Sequence, residues 1–294
     1  MGEFKKTTPL LVARRVSQLG VATILFNSYF KVFQTREIYG GVLKQGCVPG
    51  LSCHACPTAL AGCPIGMAQF FAANHRFPFY LAGFLGVIGL VSGRFTCGWL
   101  CPFGLLQDVT RAFRKLAIKI PKFLNYGKYL VLVTLVLVIP YITHQHWFSK
   151  LCPCGALIAG IPWALWNPDN PVFGFAAITP EALGTMFWAK LWILGIFLTL
   201  FLFLKRPFCR TVCPLGGIYA LFNRISLVSL RVKSSCNDCG KCRELCPTDL
   251  EARLEANSEN CIKCLDCTQC KHVGFQWNLP WRKAQLPSDI IAPG

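Results

Sequence analysis

The chain is poor in acid: 13 Asp and Glu stand against 30 Lys and Arg among 294 residues, and only 15% of residues are charged. Soluble domains carry roughly 25% charged residues, so this balance excludes an ordinary water-soluble enzyme and an acidic disordered tail. The sequence also lacks a phosphate-binding glycine loop, a dinucleotide fingerprint, a nucleophile elbow and a C-x2-C-H haem attachment motif. Group transfer and covalently attached haem therefore fall outside the expected chemistry. What is abundant is apolar surface and thiol. Hydrophobic residues make up 53% of the chain, mean hydropathy is +0.45, and there are 18 cysteines. In a short secreted chain that count would suggest disulfides; in a long apolar one with clustered spacing it points to metal clusters.

The charge is uneven. Residues 1–230 hold 21 Lys and Arg against 5 Asp and Glu, while residues 231–294 hold 9 against 8. The positive residues bracket apolar runs, as expected beside the anionic lipid of a bilayer, so no nucleic-acid partner is expected. Four runs approach the roughly 20 residues that cross a hydrocarbon core: Val16–Phe33, Phe77–Phe95, Tyr129–Trp147 and Phe187–Leu204. A fifth, Gly155–Trp166, is shorter, contains Pro162 and reads as re-entrant or interfacial. Lys and Arg concentrate at the N-terminus (Lys5, Lys6, Arg14, Arg15), in the second connection (Arg94, Arg111, Arg114, Lys115, Lys119, Lys122, Lys128) and after the fourth run (Lys205, Arg206, Arg210). The positive-inside rule then predicts a multi-pass protein of the cytoplasmic membrane with both termini inside. The expected fold is mainly α: a four-helix transmembrane domain over residues 1–230, then a cytoplasmic α+β two-cluster ferredoxin domain over 231–294. The final stretch Trp277–Gly294, rich in Pro and Trp, is expected to dock on the membrane domain or a partner.

Cys236, Cys239, Cys242 and Cys246 follow C-x2-C-x2-C-x3-C-P, and Cys261, Cys264, Cys267 and Cys270 nearly repeat it. Two-residue spacing wraps three thiolates around one face of a cubane, and the fourth Cys of each run serves the other cluster. This predicts one [4Fe-4S] cluster on Cys236, Cys239, Cys242 and Cys270, and another on Cys261, Cys264, Cys267 and Cys246. Zinc is the alternative occupant of such pairs. The second run ends on Lys271 after x2 rather than on Pro after x3, which departs from the pattern at Cys270.

A second repeat reads C-P-x-G, at Cys63, Cys101, Cys152 and Cys213; Cys97 and Cys209 stand four residues before two of these. Proline suits the first turn of a helix, and a sulfur at that N-terminus faces its positive end. Cys97, Cys101, Cys209 and Cys213 are expected to hold a third [4Fe-4S] cluster at the inner membrane face; redox-active dithiols or unliganded thiols are the alternatives. The other six cysteines fall in outward-facing loops, where disulfides are a serious alternative. Cys53, Cys56, Cys63 and Cys152 are the set expected to hold a fourth, outer cluster, with Cys47 and Cys154 left over. Clusters at opposite faces would carry electrons through the bilayer. Candidate proton-exchanging residues for a quinone are His144, His146 and Asp108, each with the alternative of an interfacial residue that has a local partner.

Around Phe95-Thr-Cys-Gly-Trp-Leu-Cys-Pro-Phe-Gly and Phe208-Cys-Arg-Thr-Val-Cys-Pro-Leu-Gly, followed by the ferredoxin run, the chain resembles the NapH-type membrane ferredoxins. The resemblance implies a quinol dehydrogenase subunit working with other subunits of a membrane oxidoreductase complex, iron–sulfur or cytochrome proteins. NosR-like, MauN-like and CcoG-like proteins share the motifs, which implies an alternative: an assembly or maintenance factor that reduces a metal centre in a partner enzyme. The thiols between Cys47 and Cys63, and Cys152-Pro-Cys154, go beyond the usual motif pair.

Overall fold

The computed structural model describes residues 9–35, 38–110, 118, 120–165, 184–237 and 239–277. Lys5, Lys6, Arg111, Arg114, Lys115, Lys119 and the tail beyond Trp277 lie outside the described residues. The main helices are α1 (Pro9–Phe26), α2 (Pro64–Ala73), α3 (Phe79–Ser92), α4 (Phe95–Trp99), α5 (Pro102–Thr110), α6 (Lys122–Thr143), α7 (Pro153–Ala164), α8 (Thr185–Phe203), α9 (Pro207–Thr211) and α10 (Pro214–Phe222). Strands β1 (Val228–Val232) and β2 (Val273–Trp277) pair antiparallel, with Val228 opposite Trp277 and Val232 opposite Val273.

Helices α1, α6 and α8 are long and apolar enough to cross a membrane. The run expected over Phe77–Phe95 is helical over a shorter stretch: α3 has 14 residues, about 21 Å at 1.5 Å per residue, against a hydrocarbon core of roughly 30 Å. Gly93 ends it at φ +58°, a conformation that favours glycine, and a Cβ there would lie 2.6 Å from Asn223 Oδ1. The chain then turns into α4 and the first C-x3-C-P motif. The four-span expectation is thus met by three helices of spanning length, with α3 and α7 as shorter apolar helices.

One apolar core runs through the helical part. Phe103, Phe201, Phe208 and Tyr219 are buried in it together with Cys97, Cys101, Cys209 and Cys213. The Phe208 ring meets Phe103 edge-on at 5.0 Å and Phe197 at 5.2 Å between centroids, an arrangement that aromatic quadrupoles favour. The segment between α1 and α2 folds into this core. Its ends are tied by Val48 N–H to Gly62 O and Gly62 N–H to Gly46 O, and Tyr219 donates to Pro49 O at 3.0 Å. A Cβ at Gly50 would lie 2.9 Å from the Phe26 ring and 3.4 Å from Cys101 Cα, so this loop passes directly over an inner thiol.

The C-terminal unit has its own small core of Leu230, Leu250, Ala252, Val273 and the thiols Cys261 and Cys267. Strand β1 begins at Val228, upstream of the boundary at residue 230 that the charge balance suggests. Buried polar contacts bind this unit to the helices. Arg14 of α1 reaches Asp108 of α5 at 3.0 Å and Asp266 at 3.1 Å, all three buried. Lys263, itself buried, donates to Asn223 O at 3.1 Å, to Val228 O at 2.6 Å and to Ser226 Oγ.

Candidate metal centres

Each C-P-x-G copy uses the same local device. Proline opens a helix behind the cysteine, and backbone N–H groups turn back onto its sulfur: Ile65 and Gly66 at Cys63, Gly104 at Cys101, Cys154 and Gly155 at Cys152, and Gly216 at Cys213, the last at 3.4 Å. These are donors that the first helical turn leaves without intrahelical partners, and they favour charge on sulfur. The glycine in each copy leaves room for a nitrogen-bearing side chain. A Cβ would lie 3.0 Å from His54 Nδ1 at Gly66, 3.5 Å from Arg206 at Gly104, 3.1 Å from Lys190 Nζ at Gly155 and 3.1 Å from Arg94 at Gly216.

Twelve of the cysteines line three small cavities. Cys236, Cys239, Cys242 and Cys270 line one; Cys246, Cys261, Cys264 and Cys267 line a second; Cys97, Cys101, Cys209 and Cys213 line a third. Cys270 joins the first group despite its atypical spacing. A cubane takes one thiolate at each iron corner, and each cavity offers four. Thr248 lies 3.2 Å from the Cys246 sulfur, and Thr58 lies 3.4 Å from Cys56 in the matching Cys-Pro-Thr context. Burial pushes the Cys261, Cys264 and Cys267 thiols up.

Charge around the inner cavity points the same way. Arg94 lines it and is 0% exposed, and its guanidinium donates only to the carbonyl oxygens of Glu259, at 2.6 Å, and Cys209, at 2.8 Å, among the bonds described. A buried cation held by neutral acceptors calls for nearby negative charge, which a cluster bound by four thiolates would provide. Gln107 adds a donor to the Cys209 sulfur at 3.0 Å. The residues therefore fit a [4Fe-4S] group.

The outer thiols are arranged differently. Cys63, Cys152 and Cys154 share the main apolar core with the inner set, while Cys53 and Cys56 pack in an adjoining group with Ala59 and Ala159. Cys53 Sγ comes within 3.4 Å of where a Gly155 Cβ would stand, which brings it to the Cys152-Pro-Cys154 turn. Cys47 touches Met67 through its sulfur. Leu51 links the two sets: its N–H faces the Cys101 sulfur and its carbonyl faces the Cys154 thiol at 3.9 Å. Outer and inner thiols are therefore neighbours, where the loop positions in the sequence suggested opposite faces of the bilayer.

Of the three candidate quinone residues, Asp108 has the local partners that its alternative reading expects. It is 3% exposed and ion-paired with both Arg14 and Arg206, which makes it a hub between α1, α5 and α9. His144 holds the Ala73 carbonyl at 2.6 Å through Nδ1. His146 borders a cavity of about 250 Å³ together with Lys44, His54, Cys63, Met67 and Phe70. The cationic residues beside the thiols went unread in the sequence. The signal was there: Arg94 and Arg206 each stand three residues before a motif cysteine, giving R-x2-C-x3-C-P-x-G twice.

The 4Fe-4S binding domain family matches residues 74–121 and 185–233, the two segments that carry these motifs. A ferredoxin-type protein NapH of Haemophilus influenzae is 27% identical over 284 residues, covering 88% of this chain and 85% of its own. The chain is a relative of the NapH- and NosR-type proteins. An uncharacterized protein of Methanocaldococcus jannaschii is 28% identical over 208 residues, 67% of this chain and 77% of its own. The regulatory protein NosR of Pseudomonas aeruginosa is 27% identical over 188 residues, 60% of this chain but 23% of its own. No solved structure matches. As a NapH/NosR relative with two 4Fe-4S domain segments, the chain is an iron–sulfur electron-transfer protein of membrane character.

Proposed function

We propose that this NapH-like protein holds four [4Fe-4S] clusters and passes electrons between the quinone pool or an outer-face redox partner and a cytoplasmic or membrane-associated partner. When bound, the clusters supply one-electron exchange. The chain's own residues order the four sets in space. Cys236, Cys239, Cys242 and Cys270 are outermost in the ferredoxin unit. Cys246, Cys261, Cys264 and Cys267 come next, sharing Leu230, Ala252 and Val273 with them or their cavity. Cys264 then packs in the same core as Cys97, Cys101, Cys209 and Cys213. Leu51 connects that set to Cys154, which shares the core with Cys63 and Cys152 of the outer set.

The observation that carries this reading is the core shared by the second and third sets: Cys264 and Ile262 pack in the core that surrounds the inner thiols, and a Cβ at Gly98, beside Cys97, would lie 3.5 Å from Cys264 Cα. The cavity at His54, His146 and Cys63 is where a quinone headgroup would meet protonatable side chains beside a thiol of the outer set. A four-span topology with the ferredoxin unit inside accompanies the proposal. Iron and acid-labile sulfide on the anaerobically purified full chain test it. About sixteen irons are expected, about twelve would remove the outer cluster, and about eight would leave only the ferredoxin pair.

A further inference from the structure

An ammonium within an apolar helix needs a partner or a route to water. Lys190 stands in α8, one of the spanning-length helices, five residues in from its start at Thr185. Its Nζ lies 3.1 Å from where a Gly155 Cβ would be, and Cys53 Sγ lies 3.4 Å from that same point. The ammonium is therefore turned toward the outer thiols. Cys53 feels the charges of both Lys190 and Lys44, and Lys44 Nζ itself donates to Ala59 O at 3.0 Å.

Among the described residues, no carboxylate forms an ion pair with Lys44 or Lys190. The sequence has no Asp or Glu between Glu37 and Asp108, between Asp108 and Asp169, or between Glu181 and Asp238. Those intervals contain all the outer thiols, Lys44 and Lys190. Asp108 is committed to Arg14 and Arg206. Among the described residues, the groups facing these lysines that can carry negative charge are the outer thiols. A disulfide carries none; thiolates around an iron–sulfur cluster do.

The motif geometry repeats this arrangement. At Gly216 the space left by the missing side chain is taken by Arg94, and at Gly155 it is taken by Lys190. We propose that Lys190 is the counter-charge of an iron–sulfur cluster on the outer thiols, as Arg94 is on the inner ones, and so sets that cluster's potential. This rests on the four-cluster reading above. Each added electron makes a cluster more negative, so a fixed cation beside it favours the reduced form.

The test is a redox titration followed by electron paramagnetic resonance, with iron counting, on the anaerobically purified full chain and its Lys190→Gln and Lys190→Arg variants. Lys190→Gln is expected to keep about sixteen irons and move the midpoint of one cluster to a more negative potential, or to lose about four irons. Lys190→Arg is expected to restore the wild-type value. About sixteen irons with every midpoint unmoved in Lys190→Gln would overturn the counter-charge role alone. A wild-type count of about twelve would instead overturn the outer cluster, and the inference with it.

Discussion

Arg94 donates to the carbonyl oxygen of Cys209 at 2.8 Å, and Arg206 returns the same bond to the carbonyl of Cys97 at 3.3 Å. Each arginine precedes one C-x3-C-P motif by three residues and closes on the other, so the two motifs clasp each other around the inner cavity. The exchange is unequal in charge. Arg206 is neutralised by Asp108, whereas the bonds described for Arg94 go to neutral carbonyls. Arg94→Gln is therefore expected to shift the midpoint of one cluster to a more negative potential, read by redox titration of the purified protein. Unmoved midpoints would leave Arg94 a purely structural clasp.

Gly98 sits where the first motif meets the ferredoxin loop. A Cβ there would lie 2.6 Å from the Ile262 carbonyl oxygen, which is backbone and cannot swing aside. Gly98→Ala is expected to cost about 1–3 kcal/mol through overpacking. The measurement is a thermal melt in detergent, with slower electron exchange between the ferredoxin clusters and the inner one as the functional readout. A wild-type melt and rate would mean that the two loops separate freely.

Asp108 holds two buried guanidiniums, Arg14 and Arg206. Removing one partner of a buried ion pair typically costs about 3–5 kcal/mol, because a charge is left without compensation. Asp108→Asn should thus reduce the yield of folded, iron-loaded protein rather than alter quinol kinetics. A stable, fully loaded Asp108→Asn protein with only slowed quinol oxidation would restore the proton-exchange role inferred from its sequence position.

Asp249 joins the ferredoxin unit to the end of α8. Burial pushes its carboxyl up, but Lys205 at 2.9 Å, with Arg243 and Arg210, outweighs that and holds it below the ordinary carboxylate value. A depressed pKa contributes stability that is complete above the unfolded carboxylate value and is lost as pH falls through the folded one. Stability should decline on acidification across that range, and Asp249→Asn should be less stable near neutrality and flatter with pH. Parallel pH profiles for the two proteins would remove the contact from the stability balance.

The two groups of thiols that line the cavities of the ferredoxin unit were legible because two-residue spacing brings three of each group to one turning loop. The same holds for the C-P-x-G turns, whose proline and glycine specify a helix start with its N–H groups on sulfur. Composition determined the membrane character, since long runs such as Thr185–Phe203 have no polar face to hide. Tertiary structure decided what depends on contacts distant in sequence. Gly93 broke an apolar run that composition reads as continuous, because Asn223, 130 positions along the chain, occupies the space a side chain would need. Asp108 became an ionic hub only when Arg14 and Arg206 arrived from other helices. The loop carrying Leu51 lies over Cys101 because Phe26 and Tyr219 receive it. Charge pairing and loop depth are set by what packs nearby, and no periodicity in a sequence encodes which distant residue that will be.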